Sequence, residues 1–145
     1  VQGSVKQFFS IGVVNARAVY TVQPDGSIKV QNYGNYFGPN GPQTSVTGSA
    51  VAVNSPTDTR LNVAFYFGQP DDREPGNYTI LDYAPDYTWA IVSDPSRTSG
   101  WILTRDQEFR AKHPDEYAAL VTRAEQLGVK PPITPTQQFP ASSSV

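Results

Sequence analysis

Histidine and cysteine, two residue types that often perform acid–base or nucleophilic chemistry, are almost absent from this chain. Its 145 residues include one histidine and no cysteine, which excludes thiol chemistry, disulfides and metal sites built from several His or Cys ligands. To act as a general base, His113 would need an orienting acid and a substrate within reach. It directly precedes Pro-Asp-Glu, the opening of a predicted helix, so we expect a capping or surface role.

The carboxylates also lack an arrangement suited to catalysis. Asp82 and Asp86 are close in sequence, and paired carboxylates can divide the acid and base roles. They flank a turn at a strand end, however, where Asp ordinarily stabilises the turn itself. The Ser, Asp and Arg residues of 93–97 likewise lie in a tight connection with no base nearby. The sequence therefore predicts no catalytic residue, no metal site and no cofactor.

Nucleic acid is not an expected partner. The net charge is −2 without a basic cluster, whereas binding a phosphate backbone needs a footprint of Lys and Arg. GNYFGPNG, residues 34–41, has spaced glycines but opens no helix, so it lacks the context of a phosphate-binding loop.

Aromatic side chains are the most unusual feature of the sequence. YTILDYAPDYTWAIVSDPSRTSGWILTR, residues 78–105, contains both tryptophans and several tyrosines, and none of its residues pairs a nucleophile with a base. Rings in this density indicate either the lining of a pocket or a core that the rings fill.

Short alternating runs separated by turn residues must position these rings. Pro24-Asp25-Gly26 between two such runs is a hairpin signal, because Gly readily takes the positive φ of a tight turn. Eight runs at this spacing predict an all-β fold, an eight-stranded antiparallel up-and-down barrel, since closure removes unpaired strand edges. The predicted strands are residues 4–11, 15–23, 27–33, 44–54, 60–67, 77–83, 87–93 and 100–105.

One C-terminal helix is predicted after the strands. Pro114 and the two acids after it suit a first helical turn, and Gly128 suits a left-handed cap. The helix should cover the outside of the barrel, and residues 1–130 then form the domain, followed by a loose Pro/Ser-rich tail at 131–145. The apolar stripe of the helix comprises Tyr117, Leu120, Val121, Ala124 and Leu127.

Two segments resemble the lipocalin family. LDYAPDYTWAIVSDPSRTSGWILTR is similar to the central and C-terminal signature of bacterial lipocalins, in which a Pro-Ser-Arg turn leads into Trp-Ile-Leu-(Ser/Thr)-Arg. NARAVYTVQPDGSIKVQNYG is similar to the second and third strands of that family. The resemblance covers about residues 15–128 and implies a barrel that binds a small molecule, with a helix after the last strand.

The N-terminus departs from the family pattern. Lipocalins begin with Gly-x-Trp, and this tryptophan closes the barrel floor beneath the arginine of the last strand; here Gly3-Ser4-Val5 stands in its place. Trp101 and Arg105 match the barrel-end residues of the family. We expect Phe8 or Phe9 to supply the aromatic partner of Arg105.

We predict that the barrel interior binds a small apolar molecule, such as a fatty acid or similar lipid, and carries it. Tyrosine hydroxyls, including that of Tyr20, are candidate polar contacts for the ligand. An eight-stranded barrel has room for one small ligand, and apolar contact area stabilises it there. The predicted ligand-binding residues are Val30, Tyr33, Phe65, Phe67, Tyr78, Ile80, Tyr87, Trp89 and Ile91.

Two alternatives remain open at this point. An apolar barrel could accelerate a cyclisation or isomerisation by positioning its substrate alone, or a filled barrel could serve as an interaction module. Because the chain starts at Val1 without a leader, we expect a trimmed, secreted or cell-envelope protein of bacterial type. A missing N-terminal segment would then provide any membrane association.

Overall fold

Nine antiparallel β-strands and two helices make up the part of the chain that the structure describes. The structure is a computed structural model and describes residues 2–3, 13–53, 59–65 and 76–135. Predicted strand 4–11 and part of the 60–67 strand lie outside these ranges. The strands are β1 (Gln2–Gly3), β2 (Val13–Val22), β3 (Ile28–Tyr36), β4 (Gln43–Ala52), β5 (Arg60–Phe65), β6 (Tyr78–Tyr83), β7 (Trp89–Ser93), β8 (Gly100–Thr104) and β9 (Thr134–Pro135); the helices are α1 (Phe109–Lys112) and α2 (Pro114–Gln126).

Consecutive strands are neighbours in one sheet. Its order is β2-β3-β4-β5-β6-β7-β8-β1-β9, and every ladder is antiparallel. The predicted up-and-down all-β architecture is thereby confirmed, and the described strands form a half-barrel. Within the described ranges no ladder joins β2 to β9.

The hairpin between β2 and β3 forms at the predicted turn. Gly26 adopts φ +83°, and the Ser27 amide donates a hydrogen bond to Asp25 Oδ1 at 2.9 Å. The Gln23 amide donates to the Ser27 carbonyl at 2.7 Å. These contacts set the register in which Tyr20 pairs with Val30.

The register divides the sheet into an inner and an outer face. Tyr20, Val30, Gly48 and Phe65 are paired in sequence across β2 to β5, and directly paired residues share a face. The inner face therefore carries the even-numbered residues of β3 and β4 and the odd-numbered residues of β5. The ladders through β6 to β8 extend it to Tyr78, Ile80, Ala90, Val92, Trp101 and Leu103.

Helix α2 covers the outer face of β6 to β8. It begins at Pro114, as predicted, with Asp115 and Glu116 in its first turn. Leu120 and Ala124 are buried against Ile91 and Ile102. The predicted stripe therefore packs where expected. No helix of the described ranges has the length and apolarity needed to cross a membrane.

The segment after α2 docks onto the sheet and is not loose at its start. Gly128 takes the predicted positive φ, +97°. Val129 is buried and lies so close to Gly100 that a Cβ added to Gly100 would be 2.8 Å from the Val129 side chain. Ile133 packs against the core beneath α2, and β9 pairs with β1. Part of the predicted tail, residues 133–135, thus contacts the core or pairs with β1.

Candidate functional site

An apolar cluster occupies the inner face of β3, β4 and β5. Val30, Ala50 and Leu61 are buried there. Phe65 and Tyr78 pack against them. The cluster thus contains three of the predicted ligand-binding residues, Val30, Phe65 and Tyr78. Because side chains alternate between the faces of a strand, these residues project to the side opposite α2.

Gly48 makes room for the Phe65 ring within this cluster. A Cβ built on Gly48 would lie 2.6 Å from the Phe65 ring and 2.5 Å from the Ala64 carbonyl oxygen. Real Cβ contacts are not this close, so any side chain at Gly48 would force the ring aside. The absence of a side chain in β4 thus sets the position of an aromatic ring in the neighbouring strand.

A pair of tyrosine hydroxyls spans the inner face. Tyr20 Oη and Tyr78 Oη are 3.0 Å apart, although β2 and β6 are separated by β3, β4 and β5. In a flat sheet, four strand spacings amount to about 19 Å, more than two tyrosines projecting from the same face can bridge. The sheet therefore curls around the pair, and we call these two residues the tyrosine pair.

The environment of the tyrosine pair keeps both phenols neutral. Desolvation raises the pKa of Tyr20, partly offset by its hydrogen bond with Tyr78. Burial, together with the proximity of Tyr20, raises the pKa of Tyr78 well above its usual range. Tyr20 as a whole is nevertheless 43% exposed, so the tyrosine pair is not sealed from solvent.

Ile80 follows Tyr78 on the inner face, where it pairs with Val92. This face also includes four residues absent from the predicted ligand-binding set: Gly48, Ala50, Leu61 and Val92. The small residues of β4 alternate with polar ones, a signal that could have identified its inward positions. Phe67, another predicted ligand-binding residue, lies outside the described residues.

Trp89 and Ile91 lie on the outer face, which corrects their predicted place in the lining. Both belong to the core beneath α2, where Ile91 is fully buried. The strand parity assumed for β7 was shifted by one residue, because β7 is apolar on both faces and alternation does not distinguish them. A register shift between Ile80 and Asp82 in β6 adds to the difficulty.

Tyr33 lies on the outer face, and Tyr87 lies in a turn outside the strands. Tyr33 pairs with Arg17 on the outer face, and the Arg17 guanidinium lies 4.8 Å from its ring centroid. Tyr87 belongs to the β6–β7 turn, at φ +59°, is 62% exposed and stacks on Tyr83. The outer-face position of Tyr33 corrects its predicted place in the lining, and Tyr87 projects from a turn at the sheet's end instead of from a strand.

The two predicted barrel-end residues take different positions. Trp101 is on the inner face, paired with Val92 and with Gly3 of β1. Arg105 follows β8, is exposed, and donates from Nε to the Tyr87 carbonyl at 2.8 Å. It thereby ties the end of β8 to the β6–β7 turn. Its proposed partners Phe8 and Phe9 lie outside the described residues.

The residues weighed for catalysis do not converge. Asp86 accepts hydrogen bonds from Thr88 in its turn, and Asp82 instead accepts one from Arg123 Nε at 2.9 Å on the outer face. His113 stands at the start of α2, 4.0 Å from Glu116. Over the described ranges no three His, Cys, Asp or Glu residues gather into a possible metal site.

Comparisons with known proteins agree with this geometry. Residues 3–135 match the family model described as a lipocalin-like domain. Temperature-induced lipocalin-1 of Arabidopsis thaliana is 35% identical over 118 residues, covering 79% of this chain and 60% of the relative. Outer membrane lipoprotein Blc of Escherichia coli K12 is 30% identical over 115 residues, with coverages of 79% and 62%.

A third relative is outer membrane lipoprotein Blc of Vibrio cholerae, 35% identical over 98 residues, covering 67% of this chain and 54% of the relative. The chain thus spans less than two thirds of the length of each of these curated relatives. The family match itself includes every described strand from β2 to β9. The chain belongs to the lipocalin-like family, which generally binds small hydrophobic ligands.

Proposed function

We propose that this chain binds and carries a small apolar or amphipathic molecule on the inner face of its barrel. The observation that carries the proposal is the contrast between the two faces of β3 to β5. The outer face presents exposed polar residues such as Lys29, Thr47 and Arg60, whereas the inner face holds the cluster of Val30, Ala50 and Leu61.

Charge supports the same proposal. Across the described strands β2 to β8, every side chain assigned to the inner face by register is uncharged. Small-molecule sites are concave and mostly apolar, with few polar groups that fix the orientation of the ligand. The tyrosine pair supplies such polar groups next to the apolar cluster.

We place this carrier at a cell envelope or outside the cytoplasm. The support is that the bacterial relatives are outer membrane lipoproteins by name. Fractionation of cells that express the full-length gene product, with immunodetection in each fraction, tests the placement. Recovery in the cytoplasmic fraction alone would contradict it.

Adjacent residues on opposite faces of β4 provide a direct test of binding. Val46 is half-buried on the inner face, and Thr47 is exposed on the outer face. A neutral hydrophobic probe, N-phenyl-1-naphthylamine, should gain fluorescence saturably with the unmodified chain, because its surroundings become apolar. Val46→Trp should fill the interior and remove most of that gain, whereas Thr47→Trp should leave it unchanged.

The Thr47→Trp variant controls for the added indole, and circular dichroism checks that both variants fold. Probe fluorescence that does not saturate with the unmodified chain would overturn the proposed function. An equal loss in both variants would place the probe elsewhere on the molecule.

A further inference from the structure

The tyrosine pair is a polar feature of the inner face that adjoins the apolar cluster through Tyr78. Tyr78 packs against Val30, Ala50 and Leu61, and its hydroxyl meets that of Tyr20 at 3.0 Å. A ligand that covers this cluster therefore extends alongside two phenolic hydroxyls.

The hydrogen bond within the pair leaves capacity for a ligand. Two hydroxyls have two protons and four lone pairs, and their mutual bond uses one proton and one lone pair. One O–H donor and several acceptor positions remain. Within the described part of the chain, neither hydroxyl has a second hydrogen-bond partner. A ligand group beside the pair can therefore accept one hydrogen bond and donate another.

The charges around the pair favour a neutral ligand group. No described cationic side chain lies on the inner face of β2 to β8; Lys29 and Arg60 belong to the outer face, and Arg17 is paired there with Tyr33. Arg105 is beyond β8, where its Nε bonds to the Tyr87 carbonyl. A buried carboxylate without a partnering cation is costly, whereas a hydrogen-bonded neutral group is not.

We propose that the tyrosine pair is a polar subsite for the ligand's head group, and that it selects amphiphiles with an uncharged hydrogen-bonding head, such as an alcohol or ester, over carboxylates of the same chain length. This proposal deepens the proposed function and rests on it. The apolar cluster would contact the alkyl chain of the ligand, and the tyrosine hydroxyls would hydrogen-bond its head group.

Competition between matched ligands tests the selection with the unmodified protein. N-phenyl-1-naphthylamine is bound first, then displaced at pH 8 by 1-dodecanol, by methyl dodecanoate or by dodecanoate, which is ionised there. The alcohol and the ester should each displace the probe at concentrations about tenfold or more below that of the carboxylate, since the anion loses hydration and the described inner face offers it no cation. Equal potency, or preference for dodecanoate, would overturn the proposal.

Phenylalanine variants identify the hydroxyls as the cause. Tyr78→Phe and Tyr20→Phe keep the rings but remove the hydroxyls. Each should lower the affinity for 1-dodecanol about 3- to 10-fold, the range for loss of one neutral hydrogen bond. The affinity for the probe should stay the same. Tyr33→Phe is the matched control on the outer face and should change neither value. Arg105→Gln should leave dodecanoate binding unchanged.

The outcomes separate this proposal from the broader one. If the probe does not bind the unmodified chain, the proposed function itself fails. If the probe binds and all competitors displace it at the same concentration in every variant, the proposed ligand binding is retained and the head-group subsite is refuted. If the Tyr→Phe changes weaken the alcohol and carboxylate equally, the hydroxyl bond is only a structural tie between strands, which also refutes the subsite.

Discussion

Asp94 organises the turn between β7 and β8 through several donors. The Ser99 amide donates to its Oδ1 at 2.7 Å, and the Ser96 amide and Thr98 hydroxyl donate to its Oδ2 at 3.0 and 3.1 Å. Burial alone would raise the pKa of this carboxyl, but these hydrogen bonds outweigh it and lower the pKa to about 2. Such a turn is stabilised by the ionised form of a single side chain.

Stability should therefore depend on pH through Asp94. Its folded-state pKa lies below the unfolded value of about 3.9, so the contribution is complete above about pH 5 and is lost as the pH falls toward 2. Because the group is partly exposed, we expect about 1–2 kcal/mol. In urea titrations, Asp94→Asn should be destabilised by this amount at pH 7 and by much less near pH 2. A difference that does not change with pH would contradict the assignment.

At the scale of elements, α2 has both apolar and charged contacts with the sheet. Leu120 and Ala124 are buried in the core with Ile91 and Ile102. At the edge of this contact, Arg123 Nε lies 2.9 Å from Asp82 Oδ2, and the Arg123 side chain is 53% exposed. Exposed ion pairs contribute little because water screens them, so the apolar stripe should hold the helix.

Two substitutions on α2 compare these contributions. Leu120→Ala leaves a cavity and should lower the free energy of unfolding by about 2–5 kcal/mol, whereas Arg123→Gln should cost less than about 1 kcal/mol. Chemical unfolding followed by circular dichroism measures both. Equal losses, or a larger loss for Arg123→Gln, would show that the ion pair dominates the docking of the helix.

At the scale of the whole molecule, curvature of the sheet creates the candidate site. Tyr20 and Tyr78 are 58 positions apart in the chain and meet only because β2 to β6 curl. Unfolding separates the two strands, so the unfolded chain lacks the site. A ligand of the inner face therefore binds the folded state alone and stabilises it by mass action.

Thermal unfolding should report this coupling. At one hundred times its dissociation constant, a ligand adds about 2.7 kcal/mol, or about 5–10 °C in Tm for a domain near this length. Differential scanning fluorimetry with 1-dodecanol would measure the shift, and Val46→Trp should abolish it while Thr47→Trp retains it. An equal shift for both variants would indicate binding outside the barrel.

The sequence predicted the elements better than it predicted the faces. Pro24-Asp25-Gly26, the helix start at Pro114 and the left-handed Gly128 have local causes, and all three are confirmed. In β4 and β5 one face is polar, so the alternation of polar and apolar residues correctly assigned Phe65 to the inner face. In β7 both faces are apolar, so the same pattern assigned Trp89 to the wrong face.

Features that depend on long-range geometry were beyond such reasoning. Tyr20 was among several tyrosines considered as polar contacts, but its bond to Tyr78 depends on the curvature of five strands. The one-turn helix α1 was also missed; Lys112 reaches Asp106 and Glu108 there, at 2.9 and 3.1 Å. No periodic apolar pattern marks so short a helix.

The placement of the two tryptophans on opposite faces of the sheet has a practical consequence. Trp89 lies in the core beneath α2, and Trp101 lies on the inner face. Each indole is thus an intrinsic optical reporter for a different compartment of the molecule. Replacing one tryptophan at a time with phenylalanine would yield two spectroscopically distinct chains that need no attached dye. Fluorescence of the remaining Trp101 would respond to ligand on the inner face, and fluorescence of the remaining Trp89 would respond to detachment of α2.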